Sequence, residues 1–137
     1  MYQQIQHFYA RQLRLLDEGR TAEWAATFEP GGVFDADGLP EPVRGREAIE
    51  SASRAAAEKL AADGIRRRHW LGMLEVGERP DGTLLARTYA LIISTPRGGP
   101  AGLHMSTTCD DVLVRDGADL LVRHRRVRRD DLDGRED

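Results

Sequence analysis

The sequence predicts one α+β domain in which three amino-terminal helices cover one face of a mainly antiparallel sheet. Apolar residues recur at three- and four-residue spacing through the first third of the chain, and apolar and polar residues alternate from about residue 67 onwards. Two turn sequences, Pro80–Gly82 and Asp116–Gly117, divide the alternating part into hairpins. The 137-residue chain is long enough for one hydrophobic core. We expect a single domain over residues 1–129 and a flexible acidic tail over residues 130–137.

Three segments carry the helical pattern. The first helix ends near Gly19, and Thr21 is the expected N-cap of a short second helix. The third helix is predicted over Arg46–Ala62, where alanine is abundant, and Gly64 follows it in the usual position for a helix end. The apolar stripe of the first helix consists of Ile5, Phe8, Tyr9, Leu13 and Leu16.

Five segments are predicted to be strands. A short strand near Val33–Asp35 precedes the third helix, and four long strands follow it over residues 67–78, 83–95, 103–115 and 118–128. Both faces of the first two long strands are mostly apolar, yet the helices can cover only one of them. The outer face, which by alternation carries Trp70 and Leu74, is therefore expected to be buried in a homodimer.

Composition excludes several classes of function. A net charge of −3 gives no general attraction to nucleic acid or to an anionic membrane, so neither is expected as a partner. The single cysteine, Cys109, excludes an internal disulfide and a cysteine-based zinc site. The sequence contains no metal-ligand spacing and no phosphate-binding glycine loop, so we expect no metal and no cofactor. Without a signal-peptide pattern or a long apolar run, the expected location is the cytoplasm.

The third long strand carries a row of polar side chains on one face. If this strand lies inside the sheet, the row needs partners or a water-filled cavity, because each unpaired buried polar group costs about 1–3 kcal/mol. We therefore expect this face to border a cavity. The row consists of His104, Ser106, Thr108 and Asp110.

His69 stands where three arginines meet an apolar strand, and two interpretations are open. It is either a structural residue that donates one hydrogen bond or a proton-transfer group in a dry pocket. In the second case a carboxylate should orient the ring, and the candidates are Asp17, Asp35 and Asp110. Asp35 is preferred because Val33 and Asp35 alternate onto one face; otherwise Asp35 belongs to a turn.

The motifs VFDADG (residues 33–38), VRGREAI (residues 43–49) and RRHWLGMLEV (residues 67–76) complete this layout. Over residues 2–129 the chain resembles the SnoaL-like branch of the nuclear transport factor 2-like superfamily. The resemblance implies a cone-shaped α+β barrel, commonly dimeric, with a pocket between the helices and the concave sheet. The superfamily includes polyketide cyclases, scytalone dehydratase, ketosteroid isomerase, limonene epoxide hydrolase and the largely structural small subunits of ring-hydroxylating dioxygenases.

A local similarity to the scytalone dehydratase family lies in the strand after the third helix. That strand reads histidine, aromatic, aliphatic, glycine in the family, and HWLG (His69–Gly72) here. The resemblance implies that His69 lies in the pocket and acts on the substrate through water. It also implies that Asp17, at the place of a helix-one aspartate, orients His69.

The same resemblance extends to the third long strand. Ser106 and Thr108 match hydroxyl or amide side chains that bind substrate in that family. A second catalytic histidine of the family falls near Thr95, and a pocket tyrosine falls near Asp35, so both differ in this chain. His104 is the candidate substitute for the second histidine.

Aromatic residues and an arginine run complete the list of candidates. Tyr9 and Trp24 either line the pocket or pack in the helix core. Tyr89 is placed by alternation on the face of His69, where its hydroxyl would hold a substrate oxygen. The basic run Arg123–Arg129 is interpreted as a solvated outer face.

The favoured function is cofactor-independent acid/base catalysis on a small, hydrophobic, oxygenated polyketide-type molecule, by cyclisation, isomerisation or dehydration. His69 is the expected acid or base, Asp35 or Asp17 orients it, and the polar row with Tyr89 binds the substrate or a developing enolate. One alternative is a non-catalytic binding or assembly protein, in which histidine and carboxylate stay apart. Another is epoxide chemistry, which needs Asp110 and Arg87 to converge around a trapped water.

Overall fold

The computed structural model describes residues 1–132 and confirms the predicted α+β fold. Helices α1 (Tyr2–Asp17), α2 (Thr21–Ala25) and α3 (Arg46–Ala62) accompany a six-stranded sheet. One 3₁₀ turn, Asp130–Leu132, follows the last strand, and residues 133–137 of the predicted tail lie outside the described part. The strands are β1 (Phe28–Ala36), β2 (Val43–Arg44), β3 (Ile65–Glu78), β4 (Leu84–Pro96), β5 (Gly102–Asp116) and β6 (Asp119–Arg129).

The apolar stripe of α1 is buried as its spacing predicts, and it packs with α2 on the core. The helix ends before Gly19, whose φ of +76° suits a residue without a side chain. Thr21 is the first residue of α2 and is not its N-cap, which is Arg20. The buried residues of α1 are Ile5, Phe8, Tyr9, Gln12 and Leu13, so one polar side chain belongs to this stripe.

The sheet runs in the order β2-β1-β6-β5-β4-β3. The β1 and β6 strands are parallel, and all other neighbouring pairs in the described chain are antiparallel. Both predicted tight turns are present, with Gly82 and Gly117 in the left-handed region at φ +85° and +61°. The helices cover one side of this open, curved sheet, which we call the inner face.

A bulge in β3 overturns the side-chain alternation that the sequence predicts there. The pairing with β4 shifts between Gly72 and Glu75, and Met73 adopts a positive φ of 53°. Because of this shift Met73 points outward, whereas Leu74 joins Leu71 and Val76 against the core. The prediction that Leu74 lies on the outer face with Trp70 is therefore wrong.

The register also reverses the predicted faces of β4 and β5. His69 pairs with Ile92, which pairs with Met105, so these three residues share the inner face. Tyr89 lies in the alternate set, on the outer face, and the prediction that it shares the face of His69 is wrong. Ser106, Thr108 and Asp110 of the polar row are likewise on the outer face, whereas His104 lies where the β4–β5 register shifts and contacts Arg67. The inner face of β5 consists of Met105, Thr107, Cys109, Asp111 and Leu113.

Large apolar side chains are exposed on the outer face of the sheet. Trp70 is 68% exposed and Tyr89 is 58% exposed, and these residues lie on the neighbouring strands β3 and β4. We call this surface the outer apolar patch; it consists of Trp70, Met73, Tyr89 and Leu103. No helix within residues 1–132 is long and apolar enough to cross a lipid bilayer.

Candidate active site

An apolar cavity of about 300 Å³ lies between the inner face of the sheet and the helices. His69 and Trp24, two of the predicted site residues, line it. The remaining polar lining groups come from β5, β6 and α3. Apolar lining side chains include Leu13, Leu16, Phe34, Val43, Leu71 and Ile92. Such a cavity suits a small hydrophobic ligand that a few polar groups orient.

His69 is held by both oxygens of the Asp17 carboxylate. Its Nδ1 lies 2.6 Å from Asp17 Oδ1, and its backbone N–H donates to Asp17 Oδ2 at 3.1 Å. The two side chains are largely buried, with 21% of His69 and 9% of Asp17 exposed. The ring is therefore fixed in position and orientation by one carboxylate.

The negative charge of Asp17 would destabilise α1 if the helix stood by itself. It is the last residue of α1, where the helix dipole disfavours negative charge by about 0.3–1 kcal/mol. The two hydrogen bonds from His69 offset that cost and tie the end of α1 to β3.

The contact with Asp17 determines which nitrogen of His69 is available for chemistry. An ionised carboxylate only accepts hydrogen bonds, so Nδ1 carries the proton and donates it to Asp17. In the neutral ring Nε2 then holds a free electron pair, and it has no hydrogen-bond partner within residues 1–132. His69 can accept a proton at Nε2 while Asp17 stabilises the resulting imidazolium.

The two other carboxylates that sequence reasoning offered for His69 lie on the outer face. Asp35 is opposite Arg126 in the sheet and lies 3.8 Å from its Nε, so the preference for Asp35 is wrong. Asp110 pairs with Arg87 at 3.4 Å, and both side chains are solvent-exposed. Arg87 and Asp110 do converge, but away from the cavity, where they cannot surround a buried water.

The hydroxyl and histidine residues predicted to bind substrate also lie outside the cavity. Ser106 donates to Asp130 at 2.5 Å, and Thr108 is on the same outer side of β5. His104 lies 3.1 Å from Arg67, and partial burial, with the charges of Arg67 and Arg129, lowers the pKa of His104. The placement of these residues corrects the sequence prediction: the β4–β5 register turns Ser106 and Thr108 outward, as it does Tyr89, and His104 lies at a register shift, away from the residues that line the cavity.

A buried ionic network lies under the cavity. Arg125 donates from Nε and Nη2 to the two oxygens of Asp111, both at 2.9 Å, and Nη2 also donates to Gln12 at 2.7 Å. Tyr9 donates its hydroxyl to Asp111 Oδ2 at 2.6 Å. The predicted pocket residue Tyr9 thus belongs to this network and is not among the residues that line the cavity. Arg125, in contrast, contributes to the cavity wall.

The charges of this network are fixed by its surroundings. Burial and the neighbouring Asp111 raise the pKa of Tyr9 well above its usual value, so it stays neutral and donates. Burial also raises the pKa of the Cys109 thiol, and Asp111 adds to that effect. Burial is the largest single effect on Arg125 and opposes its charged form, but attraction and hydrogen bonding to Asp111, together with Cys109 and Tyr9, raise the pKa of Arg125 overall. Cys109 therefore lines the cavity as a protonated thiol and is a poor nucleophile.

A second, larger hollow of about 920 Å³ lies between α1 and β3. Its lining includes the charged side chains of Arg14, Glu18 and Arg68. His69 and Leu71 line both hollows and form part of the wall between them. The inner cavity is the candidate active site, because its walls are apolar and it adjoins the Arg125 network. Within residues 1–132 no group of His, Cys, Asp and Glu is placed to hold a metal ion.

Three residues of the buried network were missed by the sequence prediction. The burial of Gln12 was predictable from the sequence, because a residue seven positions after Ile5 falls on the buried stripe of α1. Arg125 was assigned to a solvated run, yet its side chain is only 4% exposed. Asp111 alternates with Cys109 and Leu113, and that pattern indicates a buried carboxylate once the face is known.

Comparison with known proteins identifies the family. The model of the SnoaL-like domain matches residues 1–126, and no curated protein matches the chain. Aln2 from a Streptomyces species is 37% identical with a TM-score of 0.88, over 96% of this chain and 91% of Aln2. ActVI-ORFA from Streptomyces coelicolor is 28% identical with a TM-score of 0.87, over 96% of this chain and 98% of that one.

A third solved structure contains a ligand. It is a protein from Catenulispora acidiphila in complex with S-DNPA, 38% identical with a TM-score of 0.81, over 95% of this chain and 93% of that one. The domain match and these structures agree along nearly the whole length of the chain. The chain belongs to the SnoaL-like family.

Proposed function

We propose that this protein is a cofactor-independent acid/base enzyme that acts on a small, hydrophobic, oxygenated molecule of polyketide type. The observation that carries the proposal is the contact of 2.6 Å between His69 and Asp17 at the wall of an apolar cavity. Enzymatic cyclisation of aldol type, isomerisation of an enone and dehydration of a hydroxyketone share a first step. In each, a base removes a proton from a carbon next to a carbonyl group.

In the proposed step His69 is the base. The proton moves from the carbon to Nε2 of His69, and the electron pair of the broken C–H bond moves towards the carbonyl oxygen, giving an enolate. The imidazolium that forms is stabilised by Asp17, which is a positioning residue and does not take the proton. The imidazolium then returns its proton to carbon in an isomerisation, or to a hydroxyl group that leaves as water in a dehydration. In a cyclisation the enolate carbon bonds to a second carbonyl carbon, and the imidazolium gives its proton to the alkoxide that forms.

Two further observations support this function over its alternatives. A binding or assembly protein has no need for a histidine and carboxylate held together at a cavity, whereas here both carboxylate oxygens accept from His69. Epoxide chemistry through Asp110 and Arg87 would take place on the exposed sheet surface, where substrate and water are not enclosed. The relative in complex with S-DNPA supports a small-molecule ligand for this chain as well.

Deuterium exchange tests the proposed proton transfer without assuming the later steps. We expect the protein in D₂O to catalyse exchange of the C2 protons of 1-indanone, an aromatic ketone with protons next to its carbonyl group. The measurement is loss of the C2 proton signal by NMR, compared with buffer and with heat-denatured protein. Exchange no faster than in these controls would count against the function.

We also propose a homodimer that buries the outer apolar patch. An exposed apolar surface of this kind is typical of protein–protein interfaces, and a twofold dimer would bury Trp70 on both copies. A cytoplasmic location is proposed as well, because one free cysteine and no internal disulfide are usual for proteins of reducing compartments.

The oligomeric state of a Trp70→Glu variant tests the homodimer. Wild type is expected to elute as a dimer and Trp70→Glu as a folded monomer, because each interface would bury two unpaired carboxylates. Size-exclusion chromatography with light scattering gives the masses. Ala55→Glu is the control, since Ala55 is exposed on α3, which covers the opposite face of the sheet. A monomeric wild type would contradict the proposal.

A further inference from the structure

Arg125 has N–H groups for which the described chain supplies no acceptor. A guanidinium holds five N–H donors, one on Nε and two on each terminal nitrogen. The Nε donor and both donors of Nη2 are used, by the two oxygens of Asp111 and by Gln12. Both donors of Nη1 lack an acceptor within residues 1–132. Because buried polar groups are nearly always paired, these donors indicate an acceptor from outside the chain.

The Nη1 atom opens into the inner cavity. The side chain of Arg125 is only 4% exposed, so it meets little space outside the packed core. Among the buried and half-buried side chains of residues 1–132, the one nitrogen or oxygen that is both unpaired and fully sealed is Trp24 Nε1. Nη1 is unpaired but not sealed, and the hollow that Arg125 lines is the inner cavity. Its donors are therefore within reach of a bound ligand.

The surroundings hold this guanidinium in one place. Its carbon lies 5.5 Å from the centroid of the Phe28 ring and 5.9 Å from that of the Tyr9 ring. The hydroxyl groups that line the same cavity, those of Ser53 and Thr107, already donate to backbone carbonyls at 2.9 Å and 2.7 Å. Nη1 of Arg125 is thus a fixed donor that these hydroxyls do not duplicate.

The charges of the buried network decide which acceptor suits Nη1. Asp111 already balances the positive charge of Arg125, and the Tyr9 phenol and the Cys109 thiol stay neutral. A ligand carboxylate would bring a second negative charge to a buried site that has one positive charge, which is costly. A neutral carbonyl oxygen accepts from Nη1 without adding charge, so it is the acceptor that fits.

Arg125 and His69 contact different parts of the cavity. Arg125 is on β6 and His69 is on β3, with β4 and β5 between them, so their backbones are about 14 Å apart along the sheet. Their partners on α1, Gln12 and Asp17, are separated by a rise of about 7.5 Å along the helix. A carbonyl oxygen is only two bonds from the carbon next to its carbonyl group. The oxygen at Arg125 therefore belongs to a different part of the ligand from the carbon at His69.

We propose that Arg125 Nη1 donates to a neutral carbonyl oxygen on the side of the ligand remote from the carbon that His69 deprotonates. The proposal rests on the cavity being the substrate site of the proposed function. It specifies the substrate class as molecules with one carbonyl group next to the reacting carbon and a second carbonyl group at the far end. Arg125 is then a specificity-determining residue and takes no part in the proton transfer.

Two ketones of the same shape test this hydrogen bond in the wild-type protein. In 5-acetyl-1-indanone a second carbonyl group lies across the ring from the first, and in 5-isopropenyl-1-indanone a CH₂ group replaces that second oxygen. We expect the acetyl compound to bind about tenfold more tightly, as for one hydrogen bond to a charged group. Titrations followed by NMR of the protein give both dissociation constants.

Variants assign the preference to Arg125. The double variant Asp111→Asn, Arg125→Met removes both charges together, so no unpaired buried charge remains, and the preference for the acetyl compound should disappear. Binding of the isopropenyl compound shows that this variant retains its cavity. Arg123→Met is the matched control and should keep the preference, since Arg123 is 53% exposed on the same strand and lines neither hollow.

Deuterium exchange within the acetyl compound reports its orientation. With the acetyl oxygen at Arg125, the C2 protons of the indanone ring should exchange at His69, and the acetyl methyl protons should exchange no faster than in buffer. Faster exchange at the methyl group than at C2 would place the acetyl group at His69 and overturn the proposal.

The outcomes separate this inference from the proposed function. Equal affinities of the wild type for the two compounds would overturn the role of Arg125, and so would a preference that persists in the double variant. Failure of both compounds to bind the wild type would overturn it together with the cavity as a ligand site. A preference for the acetyl compound without any deuterium exchange would keep Arg125 as the carbonyl-binding residue and remove only the proposed reaction.

Discussion

His69→Asn is expected to slow the deuterium exchange of 1-indanone by about 10²–10⁴-fold, which is the usual contribution of a general base. Asparagine retains a donor that can reach Asp17, so the link between α1 and β3 can persist while the basic Nε2 is lost. The free energy of unfolding should therefore change little. Exchange rates by NMR and unfolding in urea give the two quantities.

The matched control for this substitution is His7→Asn on the exposed side of α1. It removes an imidazole of the same kind outside the cavity, so exchange should continue at the wild-type rate. If His69→Asn exchanged as fast as His7→Asn, His69 would have no part in the reaction.

The same assay distinguishes the carboxylates. In Asp17→Asn the exchange rate should fall towards that of His69→Asn, because the side-chain amide cannot stabilise the imidazolium as a carboxylate does. Asp35→Asn should leave the rate unchanged, since Asp35 faces Arg126 on the outer side. A larger loss in Asp35→Asn would show that the assignment of Asp17 is wrong.

The helices and hairpins were predictable because local sequence determines them. The bounds of α3, Arg46–Ala62, agree with the prediction, since an alanine-rich segment between Gly45 and Gly64 has strong signals at both ends. The turns at Gly82 and Gly117 need a positive φ, and a glycine after an aspartate indicates such a turn. Each of these features depends on a few neighbouring residues.

The faces of the strands were less predictable, because they depend on register between distant segments. A shift of one residue exchanges the two faces, and the bulge at Met73 produces such a shift in β3. The sequence shows that Tyr89 and Ile92 point to opposite sides, but only the pairing of His69 with Ile92 shows which side has the cavity. Candidates chosen by their polarity, such as Ser106, were consequently placed on the wrong face.

The pair of His69 and Asp17 was also only partly predictable from the sequence. His69 at the start of an apolar strand was recognisable, and Asp17 was one of three possible partners. Choosing between Asp17 and Asp35 required the distance between the end of α1 and β3, which is a property of packing and not of spacing. The resemblance to scytalone dehydratase favoured Asp17, and alternation within VFDADG favoured Asp35; the geometry agrees with the resemblance.

Asp111→Asn is expected to lower the free energy of unfolding by about 3–5 kcal/mol, the usual cost of breaking a buried ion pair from one side. Arg125 would keep its charge in a buried position without its carboxylate, and Tyr9 would lose an ionised acceptor. The measurement is urea unfolding followed by circular dichroism. Converting both partners in an Asp111→Asn, Arg125→Met variant should recover part of the loss, because no unpaired charge remains.

The neighbouring residue supplies the control. Asp110→Asn removes a carboxylate one position away, in an exposed pair with Arg87, and exposed pairs contribute about 0–1 kcal/mol. The loss in free energy of unfolding should therefore differ several-fold between these adjacent positions, because Asp111 faces the core and Asp110 faces solvent. Equal destabilisation by the two substitutions would contradict the β4–β5 register, and with it the placement of the cavity on the inner face.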